Sequence, residues 1–256
     1  MTKHDKPMIL YKYLTAEKAD EWLIGENSIL LTPPKYLNDL LEFRIRREPA
    51  DLPERREMFE IFQKEKPSAL TFEEYDRSIT RTEYLDGEPE DMRRMFSDTS
   101  GVVSLTTDPA NGLMWAHYGL NSGVAIGYRS EEVDEHNGIK FSFLPIGIAM
   151  EVEYSNEVTP LKKSFCDAAR QLTRKQECWS YECEWRIIKQ LEEARPVYRN
   201  EKTFYTLSAC RDEIAHVVFG AIANPEFIER VESWLRGSPA RIQKLRINPV
   251  TYRLTL

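Results

Sequence analysis

The chain has few of the residues that build metal and disulfide sites, with four cysteines and four histidines among 256 residues. None of the cysteines (Cys166, Cys178, Cys183 and Cys210) has the C-x-x-C spacing of a paired ligand set. A structural zinc site draws closely spaced cysteines and histidines from such pairs. The sequence therefore predicts no metal site.

Long apolar runs and an excess of basic charge are missing as well. No stretch approaches the roughly 18 apolar residues that a membrane-spanning helix requires, and residues 1–7 are too polar for a secretory signal. The net charge of -7 does not favour sequence-independent electrostatic binding to nucleic acid or anionic lipid. We therefore expect a cytoplasmic protein with reduced thiols and no membrane partner.

Three familiar catalytic motifs do not occur. The sequence contains no G-x-G-x-x-G, no G-x-x-x-x-G-K-[ST] and no G-x-S-x-G. The first two build phosphate-binding loops, and the third places a nucleophilic serine on a strand-to-helix turn. A nucleotide site in this chain would therefore have to be built without either of these phosphate-binding loops.

The order of predicted elements indicates the fold class. Strand patterns fall at 8–13, 28–32, 102–106, 123–129, 140–143, 148–154, 216–220, 241–248 and 250–255, and helix patterns at 16–24, 112–120, 161–176 and 225–235. The segment 40–98 is charged and has helical periodicity throughout. Strands outnumber crossover helices, so we predict one α+β domain, 1–256, with a mixed or antiparallel sheet and a helical insertion or lobe at 40–98.

The segment 181–186 is the most informative part of the chain. On a strand, alternate residues share a face, so Glu182, Glu184 and Arg186 would point one way. Such a face is commonly just a solvated sheet surface. The aromatic residues around it (Trp179, Tyr181 and Trp185) favour a walled cavity, where a carboxylate is costly unless it is used.

A second cluster lies at 111–119. If this segment is helical, Met114, His117 and Tyr118 share a face, and His117 becomes a buried or cleft-lining imidazole. The alternative is a structural histidine in the core, which is the more common case for a single histidine in an apolar setting.

The third cluster is amino-terminal. Tyr11 and Tyr13 share one face of the first strand, opposite Lys12. Such tyrosines either pack half-buried or stack on a flat ring in a cleft. Asn38 and Asp39 follow a Pro-Pro turn, where they either cap the next helix or belong to the site.

Taken in order, these clusters resemble a prokaryotic family catalogued as domain of unknown function 2971. The similar segments are the YKY strand at 11–13, the proline-rich turn into Asn-Asp at 33–42, the MW-x-HY block at 114–118 and the W-x-YE-x-EWR block at 179–186. The resemblance extends from about residue 9 to 222. One departure is Leu40, where the family often has proline.

The E-x-E strand also resembles that of ADP-ribosyltransferases. This resemblance implies a split-sheet fold, NAD as substrate, and a contact from Glu184 to the nicotinamide ribose. It further implies that Glu182 orients or deprotonates the acceptor, that Lys12 or Arg186 holds the pyrophosphate, and that Tyr11 or Tyr13 stacks on nicotinamide. The Ser-Thr-Ser of the second strand is not present, since only Ser28 and Thr32 flank that strand.

We therefore expect an NAD-consuming enzyme that modifies a protein or nucleic acid, as a toxin or anti-phage effector with an antitoxin or defence-system partner. Its site residues are Glu182 and Glu184 as catalytic groups and Tyr11, Lys12, Tyr13, Asn38, Asp39, His117, Tyr118 and Arg186 as binding groups. Two alternatives stay open. One is a nuclease or other hydrolase that holds a divalent ion between Glu182, Glu184 and Asp39, and the other is a non-catalytic module that binds a nucleotide or a partner.

Overall fold

The computed structural model describes residues 9–43, 51–80, 89–131, 133–136, 138–157 and 165–256. Sixteen strands lie in the described ranges, and nine of them form the main sheet. The strands are β1 (Ile9–Leu14), β2 (Ser28–Leu31), β3 (Ser100–Thr106), β4 (Val124–Arg129), β5 (Val133–His136), β6 (Ile139–Leu144), β7 (Gly147–Glu151), β8 (Glu153–Tyr154), β9 (Arg174–Lys175), β10 (Glu184–Gln190), β11 (Arg195–Arg199), β12 (Lys202–Ser208), β13 (Ile214–Phe219), β14 (Arg241–Lys244), β15 (Arg246–Ile247) and β16 (Leu254–Thr255).

The large sheet has the strand order β14-β13-β4-β1-β3-β10-β7-β6-β5. All its neighbours pair antiparallel except β13 and β14, which are parallel. A smaller sheet has the order β11-β12-β2, and β15-β16 and β8-β9 form two-stranded sheets. The predicted α+β fold with a mixed sheet is therefore confirmed.

Three of the described α-helices lie between β2 and β3 in the chain, and the others are distributed among the later and earlier strands. The α-helices are Ala16–Lys18, Leu52–Glu65, Phe72–Ile79, Pro89–Thr99, Gly112–Met114, Phe165–Leu172 and Pro225–Trp234. π-helical turns follow at Ala19–Ile24 and Trp115–Gly119, and 3-10 turns occur at Pro34–Tyr36, Glu177–Glu182, Leu191–Glu193 and Arg211–Glu213. The described parts of 40–98 thus contain three helices, as the periodicity indicated. None of the helices in the described ranges has the length and apolarity to cross a membrane.

One face of the sheet carries the main core. Leu10, Val103, Ile126 and Ile187 come from four adjacent central strands and are fully or almost fully buried there. The helix Pro225–Trp234 adds Phe227 and other apolar side chains to the same cluster. Burial of this face fixes the register, because a shift by one residue would turn every one of these side chains to the opposite face.

The sheet is split between β1 and β3. These strands pair at Tyr11 and Thr106, whereas β1 pairs with β4 from Ile9 to Leu14, and β3 pairs with β10 along its whole length. Further along β3, Val102 pairs with Thr32 from the end of β2 instead. The edge of β3 is therefore left open around Ser104, between these two contacts.

Several predicted elements have other bounds. The helix predicted at 161–176 is described as Phe165–Leu172 and is followed by β9, while residues 161–164 lie outside the described ranges. The hairpin β11–β12 and the edge strand β5 were not predicted. Burial along β11 does not alternate cleanly, so the apolar period that marks a strand is weak there.

Candidate functional site

A cleft opens at the split between β1 and β3. Its volume is about 260 Å³. The lining residues are Tyr11, Lys12, Tyr13, Lys18, Thr32, Tyr36, Leu37, Asn38, Glu42, Val102, Ser104, Leu105, Met114, Tyr118, Lys175, Glu182 and Glu184. The structure thus brings together seven predicted site residues from four distant segments.

A buried ion cluster forms the floor of the cleft, and we define it as Glu42, Lys175, Glu182, Glu184 and Arg186. The Lys175 ammonium is its centre: Nζ lies 3.1 Å from Glu42 Oε1, 2.6 Å from Glu182 Oε2 and 3.3 Å from Glu184 Oε2. It also lies over the Trp179 ring, 4.7 Å from the centroid. Each of these charged side chains is at most 4% exposed.

Arg186 completes the cluster from strand β10. Its Nε and one terminal nitrogen donate to the two oxygens of Glu184, both at 2.9 Å. The same terminal nitrogen donates to Glu42 Oε2 at 2.6 Å, and the other one donates to the Leu172 carbonyl at 3.1 Å. The guanidinium is therefore fully engaged and does not line the cleft, so the expected role in holding a pyrophosphate does not fit its position.

The three carboxylates have different pKa shifts. Burial by itself raises the pKa of Glu184, but Arg186 and Lys175 outweigh it and lower the pKa to about 2. Burial and repulsion by Glu184 raise the pKa of Glu182, against the opposing effect of Lys175. Burial also raises the pKa of Glu42, against the effect of Arg186. Glu184 thus stays ionised, and Glu182 is the better placed of the E-x-E pair to exchange a proton.

Tyr118 connects the cluster to the cleft wall. Its hydroxyl donates to Glu182 Oε1 at 2.5 Å and accepts from the Asn38 side-chain amide at 2.7 Å. Burial and the charge of Glu182 raise the pKa of Tyr118. Tyr118 lies in the π-helical turn Trp115–Gly119. Such turns are rare in proteins as a whole, but they often occur at functional sites.

Lys12 reaches into the split from β1. Its ammonium donates to the Ser104 carbonyl at 3.2 Å, on the open edge of β3. Burial and the nearby charge of Lys18 together lower the pKa of Lys12 to about 8, against the opposing effect of Glu184. Lys12 therefore titrates near pH 8.

Two predictions about side-chain direction were wrong. Glu182 does not share a strand face with Glu184, because it ends the 3-10 turn Glu177–Glu182, and Cys183 has a left-handed backbone with φ 44°. Cys183 is consequently exposed and does not enter the core. His117 is exposed too, with Nδ1 3.0 Å from the Tyr181 hydroxyl, and it does not line the cleft. The wider π turn rotates it away from the direction that an α-helix would give.

The tyrosines of β1 contribute rings, since their hydroxyls are held elsewhere. The Tyr11 hydroxyl lies 2.8 Å from His216 Nδ1, and the Tyr13 hydroxyl donates to the Asp108 carbonyl at 2.9 Å. The Tyr13 ring packs edge-on against Trp115, with centroids 4.9 Å apart. Both rings are therefore fixed in orientation at the cleft.

Asp39 lies apart from the cleft, although Asn38 lines it. Asp39 borders a second cavity of about 260 Å³. Its Oδ1 accepts from the Leu41 backbone N–H at 2.8 Å, and its buried Oδ2 has no hydrogen-bond partner among the described residues. In the alternative hydrolase site Asp39 would join Glu182 and Glu184 around a divalent ion, but Asp39 borders a different cavity from the two glutamates.

A buried arginine holds the loop that carries Asn38. Arg93, from the helix Pro89–Thr99, donates to the carbonyls of Pro34 at 2.9 Å, Leu37 at 3.1 Å and Asp39 at 2.9 Å. These carbonyls belong to one loop, so a single guanidinium fixes its shape. The helical segment 40–98 is thereby tied to the cleft wall.

Replacing Arg93 by methionine should release this loop and lower the free energy of unfolding by about 2 kcal/mol, since hydrogen bonds from a charged donor are lost. Hydrogen exchange should accelerate at the amides of Tyr36 and Leu37, which bond within the loop. Arg94→Met, at an exposed position of the same helix, is the matched control. Equal exchange rates in the two variants would contradict this role.

Sequence reasoning missed Lys175, Arg93 and Lys18 as parts of the site. Lys175 lies in a two-residue strand, and Arg93 lies in a charged helix where several arginines look alike. No local period marks either position.

The comparisons agree with the family resemblance over part of the chain. The model of the family described as protein of unknown function (DUF2971) matches residues 114–187. This segment contains Tyr118, Lys175 and the E-x-E residues, but not β1 or the loop with Asn38. No curated protein and no solved structure matches the chain.

Proposed function

We propose that the cleft binds NAD and that the protein transfers the ADP-ribosyl group to a macromolecular acceptor, a protein or a nucleic acid. The position of the cleft supports this proposal, since it lies in a split of the sheet with Glu184 on its floor. Two tyrosine rings, Tyr11 and Tyr13, line the cleft and are the candidate contacts for nicotinamide. In the cell, we propose that the protein acts as a toxin or phage-defence effector. An antitoxin or another defence component would inhibit it.

The observation that carries the proposal is the 2.5 Å contact between the Tyr118 hydroxyl and Glu182. An acceptor hydroxyl can pass its proton to Tyr118 Oη while Tyr118 passes its own proton to Glu182 Oε1. The acceptor oxygen then bonds to C1′ of the ribose, and nicotinamide leaves with the electron pair of the broken C–N bond. A carboxylate with a raised pKa suits this task.

The charge of the buried ion cluster assists the same step. When all three carboxylates are ionised, they and the two cations leave one net negative charge beneath the cleft. Departure of nicotinamide leaves an oxocarbenium-like ribose, which a fixed negative charge stabilises. Glu184 acts here through its charge, because Arg186 holds both of its oxygens.

Glu182→Gln and Tyr118→Phe should each lower nicotinamide release on the order of 100-fold, because each removes one part of the proton relay. Purified protein is incubated with nicotinamide-labelled NAD and cell extract, which supplies the acceptor, and free nicotinamide is measured. Glu192→Gln changes an exposed glutamate outside the cleft and should retain wild-type turnover.

Wild-type protein that releases no nicotinamide, or a Glu182→Gln variant with unchanged turnover, contradicts the proposal. Binding of NAD without release would instead support a non-catalytic module. That candidate is favoured by one observation: every oxygen of the three cluster carboxylates already contacts a cation or a hydroxyl donor. A metal-dependent hydrolase fits less well, because the Lys175 ammonium lies where these carboxylates would hold a divalent ion.

A further inference from the structure

Basic charge is concentrated in one segment of this acidic chain. Residues 236–256 contain five basic side chains and no aspartate or glutamate, although the whole chain has a net charge of -7. All five are exposed, and none forms an ion pair among the residues that the structure describes. The net charge therefore conceals a local positive surface. We call it the basic surface, and it consists of Arg236, Arg241, Lys244, Arg246 and Arg253.

The neighbouring strand adds no negative charge to this surface. Strand β13 and the residues that follow it, up to Asn224, contain no acidic side chain. Within the described sheet β14 pairs with β13 alone, so β14 is an edge strand. Lys244 and Arg246 line a groove of about 490 Å³ next to it, together with Ala221, Leu245 and Ile247. An anionic ligand in this groove meets two cations and no lining carboxylate.

An aromatic ring lies among these cations. Tyr252 is 83% exposed and precedes Arg253 directly. Its backbone is left-handed, with φ 53°, and its amide N–H donates to the Asn248 carbonyl at 2.9 Å. A positive φ is uncommon for a bulky residue, so this turn presents the tyrosine to solvent in a conformation that a random surface position would not favour. Exposed aromatic rings beside basic groups are what proteins use to stack on unpaired bases.

We infer that the basic surface binds single-stranded nucleic acid. Its cations neutralise phosphates, and Tyr252 stacks on a base. Four of the five cations are arginines, whose planar guanidinium group can bind a phosphate with two donors and can also stack on a ring. The groove favours a linear polyanion over a lipid surface, since a flat bilayer does not enter a recess. An acidic peptide matches the charge but makes no use of stacking.

The basic surface is connected to the face of the sheet that carries the cleft tyrosines. Leu245, at the end of β14, belongs to the same apolar cluster as Tyr11 and Tyr13. The Gln243 side chain lies 2.8 Å from His216 Nε2, and Nδ1 of that ring lies 2.8 Å from the Tyr11 hydroxyl. Three strand spacings, roughly 14 Å, separate β14 from β1. A short strand bound at the basic surface can therefore extend to the cleft.

This inference deepens the proposed function and rests on it in one respect, because it makes the macromolecular acceptor a nucleic acid. RNA has a 2′-hydroxyl at every nucleotide, and a hydroxyl is the acceptor that the relay of Tyr118 and Glu182 requires. Binding itself needs neither NAD nor turnover. The two proposals can therefore fail separately.

Fluorescence anisotropy with a labelled single-stranded RNA of about 20 nucleotides, longer than a typical single-strand site, tests the inference. The logarithm of the binding constant should fall linearly with the logarithm of the salt concentration, with a slope of about -3, since each neutralised phosphate contributes about -0.7. Replacing Arg241, Arg246 and Arg253 together by glutamine should reduce the magnitude of this slope by about 2 and raise the Kd about 10- to 100-fold at low salt.

The control removes the same number of cations elsewhere. Lys64, Arg77 and Arg94 are exposed on three helices of the segment 40–98. Replacing these three residues by glutamine changes the net charge equally and should leave the slope and the Kd as in the wild type. This comparison separates a local surface from a general effect of net charge.

Tyr252→Ala tests stacking apart from charge. It should raise the Kd for the single strand about 10-fold without changing the salt slope, because the lost contact is to a base and not to a phosphate. The affinity for a duplex of the same length should not change, since paired bases are not available to the ring.

Equal slopes and Kd values for the wild type and the triple arginine variant overturn the inference, as does a Tyr252→Ala variant that binds the single strand as tightly as the wild type. Polyglutamate or phosphatidylserine vesicles that bind as tightly as RNA would assign the surface to a protein or a membrane and also overturn it. RNA binding that depends on the surface, without nicotinamide release, supports this inference alone. Nicotinamide release in nuclease-treated extract, without RNA binding, supports a transferase with a protein acceptor.

Discussion

Arg186→Met should lower the free energy of unfolding by about 3–5 kcal/mol, the cost typical of removing one partner of a buried ion pair. The variant leaves Glu42 and Glu184 without their shared guanidinium, 1% exposed in the wild type. Lys175 alone cannot neutralise three carboxylates. Chemical denaturation of the wild type and the variant at pH 7 measures the difference.

The control for this prediction is an arginine with a surface partner. Arg195 pairs with Glu26 at 2.8 Å, and its side chain is 56% exposed. Arg195→Met should therefore cost no more than about 1 kcal/mol. A second variant, Arg186→Met with Glu184→Leu, removes both charges and should recover part of the loss. Equal losses for Arg186→Met and Arg195→Met would show that the cluster contributes no more than a surface pair.

The fold class followed from local patterns because the central strands are buried on a continuous apolar face. Strand β1, strand β4 and the helix Pro225–Trp234 lie close to their predicted positions. Local sequence patterns do not predict the split between β1 and β3, since Thr32 pairs with Val102 there. That contact joins residues 70 positions apart in the sequence, and local hydrophobic periodicity carries no information about it.

The sequence predicted which residues form the site better than it predicted how they are arranged. Glu182 and Glu184 do converge with Lys12 on one cleft, yet the reason is the left-handed turn at Cys183 and not a shared strand face. Arg186 was expected to meet the substrate, but its position in the register of β10 places it beneath the cleft, opposite Ser104. Strand alternation gives the side of the sheet, whereas tertiary pairing decides which groups remain free for a ligand.

The region matched by the family model contains four of the five residues of the buried ion cluster, and Glu42 is the exception. Lys12 and Asn38 also lie outside that match. The matched region thus supplies most of the charged floor and Tyr118, while β1, β3 and the loop with Asn38 supply much of the cleft wall. A fragment restricted to 114–187 would leave Arg186 without Glu42 and would lack Lys12 entirely.

Lys175→Met should be strongly destabilising, and the loss should depend on pH. Without the ammonium, the cluster holds three carboxylates and one guanidinium, and at pH 8 we expect a loss of about 3–5 kcal/mol. Lys175 normally lowers the pKa of Glu182, so its removal raises that pKa further above the value in the unfolded chain. A group with a raised folded pKa contributes stability that is present at low pH and lost as the pH rises through the folded pKa.

The destabilisation of Lys175→Met relative to the wild type should therefore shrink between pH 8 and pH 5. The slope is about 1.4 kcal/mol per pH unit wherever the folded variant holds one more proton than the wild type. Lys189→Met is the control, because Lys189 pairs with Glu193 at 3.8 Å on the surface. Its effect should be small and constant over the same range. A constant loss for Lys175→Met would mean that the cluster takes up no proton when its central cation is removed, and the role of Glu182 as a proton acceptor would lose its physical basis.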